Sequence, residues 1–88
     1  MEELIRTLAH KIVALLNLQE IPAAQIDPDE PLVGGRLGID SIDVLEMVMM
    51  LERDYGLIID NKTLGAEVFA TLRALAGYIA RNAPEAVQ

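Results

Sequence analysis

Few residues in this 88-residue chain could do chemistry, and their scarcity narrows the choice quickly. There is no cysteine, which removes thiolate catalysis, disulfide frameworks and cysteine-held zinc together. The single histidine, His10, has no second histidine with which to share a metal or a proton relay, and it reads as an ordinary helix-surface residue. What remains is Ser41, in the run Leu37-Gly38-Ile39-Asp40-Ser41-Ile42-Asp43. No Gly-x-Ser-x-Gly elbow surrounds it and no base stands near it in sequence, so a hydrolase built on Ser41 is poorly supported. A Walker-type phosphate loop is missing as well. If this serine does chemistry, it is better suited to receive a group attached by another enzyme.

The elements around Ser41 must present its hydroxyl. From Ser41 to Tyr55 the sequence is strongly periodic, and Gly56 ends the run because glycine adopts φ > 0 without steric cost. Ser41 therefore falls at a helix N-terminus, where no preceding turn covers it. Asp40 can cap that helix, and Asp43 three residues later makes the first turn acidic, which favours the positive end of the helix dipole. Taken alone, the pair Asp40-Ser41 is explained by that structural role. Val44, Met47, Val48, Leu51 and Tyr55 recur at helical spacing and suffice to dock the helix into a core. Ile42, Leu45 and Met49 form a second row, beside Asp43 and Glu46. That row is either an exposed, acid-rimmed docking surface or further core beneath the preceding loop.

The rest of the chain supplies the support. Glu2 to Leu18 places Leu4, Ile5, Leu8, Ile12, Leu15 and Leu16 three and four residues apart, which predicts an amphipathic helix, the longest of the fold, ending before Ile21-Pro22. Residues 19–39 carry Pro22, Pro28, Pro31, Gly34, Gly35 and Gly38, so they form a long loop, with Ile21, Ile26, Leu32, Val33 and Leu37 as apolar anchors. Within it, Asp27-Pro28-Asp29-Glu30-Pro31 lacks the ligand alternation of a calcium loop and reads as a turn. Leu57-Ile58-Ile59 has no partner strand and is expected to be a buried extended connector. Residues 61–69 offer at most a short, irregular helix. Thr71 should cap a final helix, Leu72 to Asn82, with Leu72, Leu75, Ala76 and Ile79 facing inward and Pro84 beyond its end. The expected fold is all-α: a small four-helix bundle, three main helices plus a short third, with a long first loop, forming one domain over residues 1–88.

Charge separates the remaining function classes. The net charge is −7, and residues 40–60 alone hold six acids against Arg53. Such a face repels nucleic acid and anionic lipid and steers basic protein surfaces toward itself, or it is simply a solvated face that keeps a small protein soluble. The apolar runs Ile12 to Leu16 and Met47 to Leu51 are too short to span a bilayer, and Met1-Glu2-Glu3-Leu4 does not open a secretory signal. The expectation is a soluble cytoplasmic monomer. Aromatics are only 3% against 52% hydrophobic residues, so the core must be aliphatic and methionine-containing, a composition that repacks adaptably.

The run from Leu37 to Asp43, followed by Leu45-Glu46-Met47-Val48 and Leu51-Glu52-Arg53-Asp54-Tyr55-Gly56, resembles the attachment motif of the acyl carrier protein family. The likeness covers nearly the whole chain, including Phe69-Ala70-Thr71-Leu72 and Tyr78-Ile79 near its end. It implies a phosphopantetheine-binding carrier domain, not an enzyme, with 4′-phosphopantetheine from coenzyme A joined to Ser41 through a phosphodiester. It further implies that Asp40 belongs to the signature read by a phosphopantetheinyl transferase. Ile42, Asp43, Leu45, Glu46 and Met49 would fall at positions that dock onto acyl-transferring and chain-elongating enzymes with basic, apolar-edged surfaces. The cargo would be an acyl thioester of a fatty-acid pathway or of a specialised type II acyl or polyketide pathway. The second of these is suggested by Val33-Gly34-Gly35-Arg36, which replaces the family's acidic loop, and by the less acidic stretch 61–69. A peptidyl or aminoacyl carrier, and an unmodified acidic helical module for protein interaction, are the alternatives.

Overall fold

Aliphatic residues at helical spacing fold this chain around one shared core, and a computed structural model describes residues 1–18 and 20–87 of it. The helices are α1 (Glu2–Leu15), α2 (Ser41–Tyr55), α3 (Lys62–Val68) and α4 (Leu72–Asn82), with 3-10 turns at Ala23–Gln25 and Pro84–Val87. Among the described residues there is no strand, only an isolated parallel bridge between Val33 and Ile39. This is the all-α arrangement expected: three main helices and a short one. Leu8 and Ile12 of α1, Met47 and Leu51 of α2, and Leu72, Leu75 and Ile79 of α4 are wholly inaccessible to solvent. Phe69 closes the same core from the end of α3.

The first helix is shorter than its apolar pattern suggests. It stops at Leu15 rather than Leu18, because Asn17 turns into the left-handed region (φ 57°) and the Leu18 N–H donates back to the Val13 carbonyl at 3.0 Å. Asparagine tolerates that conformation, and the closure is the Schellman type. Leu15 and Leu16 still pack on the core from the edge. The longest helix is therefore α2, with 15 residues against 14 in α1. Gln19, the first residue of the long connection, lies outside the described residues, as does Gln88 at the end of the predicted domain.

The connection from α1 to α2 is ordered by anchors and by hydrogen bonds to α4. Ile26, Leu32 and Leu37 are buried and Ile21 half-buried, as expected, but Val33 is exposed and Ile39 takes its place in the core. The chain is extended there, so neighbouring side chains point to opposite sides: Leu32 inward, Val33 outward. The Leu32 N–H donates to the Ala70 carbonyl (3.0 Å) and the Arg73 N–H to the Pro28 carbonyl (3.0 Å). Asp27 to Pro31 is a turn: Asp27 accepts from the Asp29 N–H at 2.8 Å, and Glu30 accepts from the Asp27 N–H at 2.7 Å. Glu30 also pairs with Arg36 at 2.9 Å, and Asp29 with Arg73 at 2.7 Å. Hydrogen bonding to that guanidinium holds the Asp29 carboxyl below the ordinary carboxylate range.

Residues 57–59 correct a second expectation. Leu57 and Ile59 are half-buried, yet Ile58 between them is 66% exposed, the alternation an extended segment imposes when only one side meets the core. The next helix is more regular than expected. Asn61 caps α3 by accepting from the Leu64 N–H at 2.7 Å. Gly65 lies inside that helix with the Ile59 side chain 3.6 Å from where a β-carbon would stand. Helix α4 begins and ends where the sequence predicts, with Thr71 accepting from the Ala74 N–H at 3.0 Å.

Candidate functional site

The site is built by a change of burial over four residues. Ile39 is buried and pins the end of the loop, Asp40 turns the backbone, and Ser41 and Ile42 emerge exposed at the start of α2. Immediately ahead of Ile39 the loop is folded by Gly38 at φ 71°, a conformation disfavoured for side chains with a β-carbon.

Asp40 and Asp43 form a reciprocal capping box. The Asp40 carboxylate accepts from the N–H groups of Ile42 and Asp43, both at 3.0 Å, and the Asp43 carboxylate accepts from the Asp40 N–H at 3.1 Å. Amide donors that a helix N-terminus could offer an anion are thus already engaged by the protein's own carboxylate. A phosphoryl group on Ser41 would meet no backbone cradle from Ile42 or Asp43, and like charge from two carboxylates beside it. Ser41 is exposed, so a substituent on its hydroxyl would have open solvent beside it. The arrangement fits a tethered arm better than an enclosed cofactor.

The predicted surface lies beyond the serine. Ile42, Leu45 and Met49 are 73%, 61% and 54% exposed, and Glu46 is exposed beside them, so the row is not core beneath the loop. Asp43, half-buried, is committed to the cap on one side. The opposite face of α2 is held by Met47, Met50 and Leu51, with Val44, Val48 and Tyr55 packed at its margin. Met50 was absent from the core positions read in the sequence, although it follows Met47 at the three-residue spacing that would have found it.

Charge along α2 is polarised by pairing. At its C-terminal end Asp54 receives both Arg53 (3.1 Å) and Lys11 of α1 (3.0 Å), and Lys11 also lies 5.6 Å from the centre of the Tyr55 ring. Hydrogen bonds from Arg53, and then from Lys11, lower the Asp54 pKa. Burial raises that of the Tyr55 hydroxyl. At the N-terminal end no cation pairs with Asp40, Asp43 or Glu46 among the described residues. Acids without a cationic partner on α2 are therefore concentrated around Ser41, and Arg53 is occupied by its neighbour. Among the described residues no group of three or more His, Asp or Glu side chains is placed to hold a metal ion, and no helix is long and apolar enough to cross a membrane.

The family described as "Phosphopantetheine attachment site" matches residues 6–79, which span α2 entirely and most of α1 and α4. An acyl carrier protein of Onion yellows phytoplasma (strain OY-M) is 40% identical over 48 residues, 54% of this chain. The match spans 60% of that relative's length.

Proposed function

The chain belongs to the phosphopantetheine attachment site family, and from that premise we propose that Ser41 is the residue modified and that the protein is an acyl carrier rather than an enzyme. The observation that carries this reading is the exposed Ser41 hydroxyl at the start of α2, directly after a carboxylate-capped turn and beside an exposed apolar row. When bound, 4′-phosphopantetheine supplies a terminal thiol that holds an acyl group as a thioester, which a chain without cysteine cannot offer itself.

The protein's own residues do the rest. Ser41 provides the oxygen of the phosphodiester. Asp40 and Asp43 fix the first turn, so that the oxygen is presented to a transferase at a constant angle. The same carboxylates with Glu46 attract basic partner surfaces, while Ile42, Leu45 and Met49 give those partners an apolar contact. Steering by unpaired charge sets association rate, and apolar burial sets residence. The glycine-rich loop with Arg36 held by Glu30 supports assignment to a dedicated acyl or polyketide pathway over a general fatty-acid one.

The decisive experiment is intact-mass analysis after incubation with coenzyme A and a broad-specificity phosphopantetheinyl transferase, with Ser41→Ala in parallel. One phosphopantetheine added to the wild type and none to the variant is the expected result. No addition to a folded wild type would leave an unmodified interaction module as the reading.

A further inference from the structure

The molecule carries a concave feature away from Ser41. An open hollow of about 460 Å³ lies between α1, the 3-10 turn Ala23–Gln25 and the start of α4, and none of its lining residues belongs to α2. Small side chains line it, Ala9 on α1 and Ala23 and Ala24 on the 3-10 turn, together with the buried Ile5, Ile26 and Leu72. Along one side Glu2, Arg6 and His10 follow at four-residue spacing, a rail about 12 Å long at 1.5 Å per helical residue. Arg73 stands at the α4 end, where Asp29 already pairs with it. Arg6 and His10 have no hydrogen-bond or ion-pair partner among the described residues.

We propose that this hollow is a non-covalent binding site for a monocarboxylate with an unbranched apolar tail. An apolar floor with a few converging polar groups is the usual make-up of a small-molecule site, and the volume is within the usual range. Arg6 supplies an unpaired donor fork for the carboxylate, and His10 a second donor one turn further on. The tail lies over Ala9, Ala23 and Ala24, where a larger residue would close the groove. Glu2 lines the same space and Asp29 pairs with Arg73 at its edge, so a single negative charge is accepted more readily than the two of a phosphate monoester. The site involves neither Ser41 nor the apolar row of α2, and it stands whether or not the carrier reading holds.

The test is an amide-resolved NMR titration of the full chain with octanoate, octanol and octyl phosphate, repeated on Arg6→Gln and Ala24→Leu. Both substitutions are at exposed positions, and unchanged spectra away from the groove verify that the variants fold. Octanoate should give saturable shifts centred on Arg6, His10, Ala24 and Leu72, and should bind more tightly than either other probe. Arg6→Gln should weaken it about tenfold, as loss of one charge-assisted hydrogen bond does, and Ala24→Leu should abolish the shifts. Shifts centred on α2 or α3, unsaturable shifts, octanol or octyl phosphate binding as well as octanoate, or an unchanged affinity in Arg6→Gln would each overturn the proposal.

Discussion

The two ends of α2 are built from the same kinds of residue and have been put to opposite uses. At the C-terminal end an acid is drawn into contact: Asp54 holds Arg53 and reaches Lys11 on α1, with Tyr55 packed beneath. At the N-terminal end the acids hold only backbone, and the apolar residues beside them face solvent. Pairing neutralises one end and leaves the other charged. A helix can thus be anchored at one end and presented at the other without any change in its secondary structure.

That contrast can be broken most severely on the buried face. Leu51 is wholly inaccessible, and Leu51→Ala should cost about 2–5 kcal/mol in urea denaturation, whereas Leu45→Ala should stay within about 0.5 kcal/mol. Equal losses at the two positions would mean that the row beginning at Ile42 is structural after all. A smaller effect is expected at the cap. Asp40→Ala should destabilise by about 1 kcal/mol through loss of the bonds to the Ile42 and Asp43 N–H groups. Asp40→Asn keeps an acceptor and loses the charge, so it should retain most of the stability; a slower modification rate in that variant would assign the transferase contact to charge rather than to helix geometry.

The smallest effect is expected at the anchored end. Lys11→Met should lower the melting temperature slightly at neutral pH, because the pair is partly solvated. The folded-state pKa of Asp54 is depressed, so its stabilisation is present above the ordinary carboxylate pKa and is lost as pH falls through the lowered value. The gap between wild type and variant should therefore close in acid. A gap that persists there would assign the effect of Lys11 to its stem and its contact with Tyr55 instead.

Much of this was legible in the sequence wherever the cause is local. The start of α2 at Ser41, the limits of α4, the capping role of Asp40 and the existence of a second apolar row on α2 follow from helical period and cap chemistry within a few residues, whereas those signals leave the exposure of that row open between surface and core. What escaped depends on neighbours in space or on finer local geometry. Val33 and Ile58 look as apolar as the anchors beside them, and only the direction of an extended backbone against the core turns them outward. The early end of α1 was written in Asn17, but the apolar pattern running on to Leu18 masked it. The groove beside α1 could not be read at all, since its walls come from residues near 5, 24 and 72.

The loop ahead of Ser41 has a further consequence, and it concerns synthesis. Its order rests on the Leu32 amide reaching the Ala70 carbonyl and on the Pro28 carbonyl receiving the Arg73 amide. Ser41 is synthesised well before residues 70 to 73, and until they follow, the approach to α2 lacks these two tethers and has only its own hydrogen bonds and apolar anchors to order it. On the proposed modification of Ser41, a transferase therefore meets the fully tethered approach loop only once residues 70 to 73 have been translated, although the capping turn of Asp40 and Asp43 closes earlier on its own bonds.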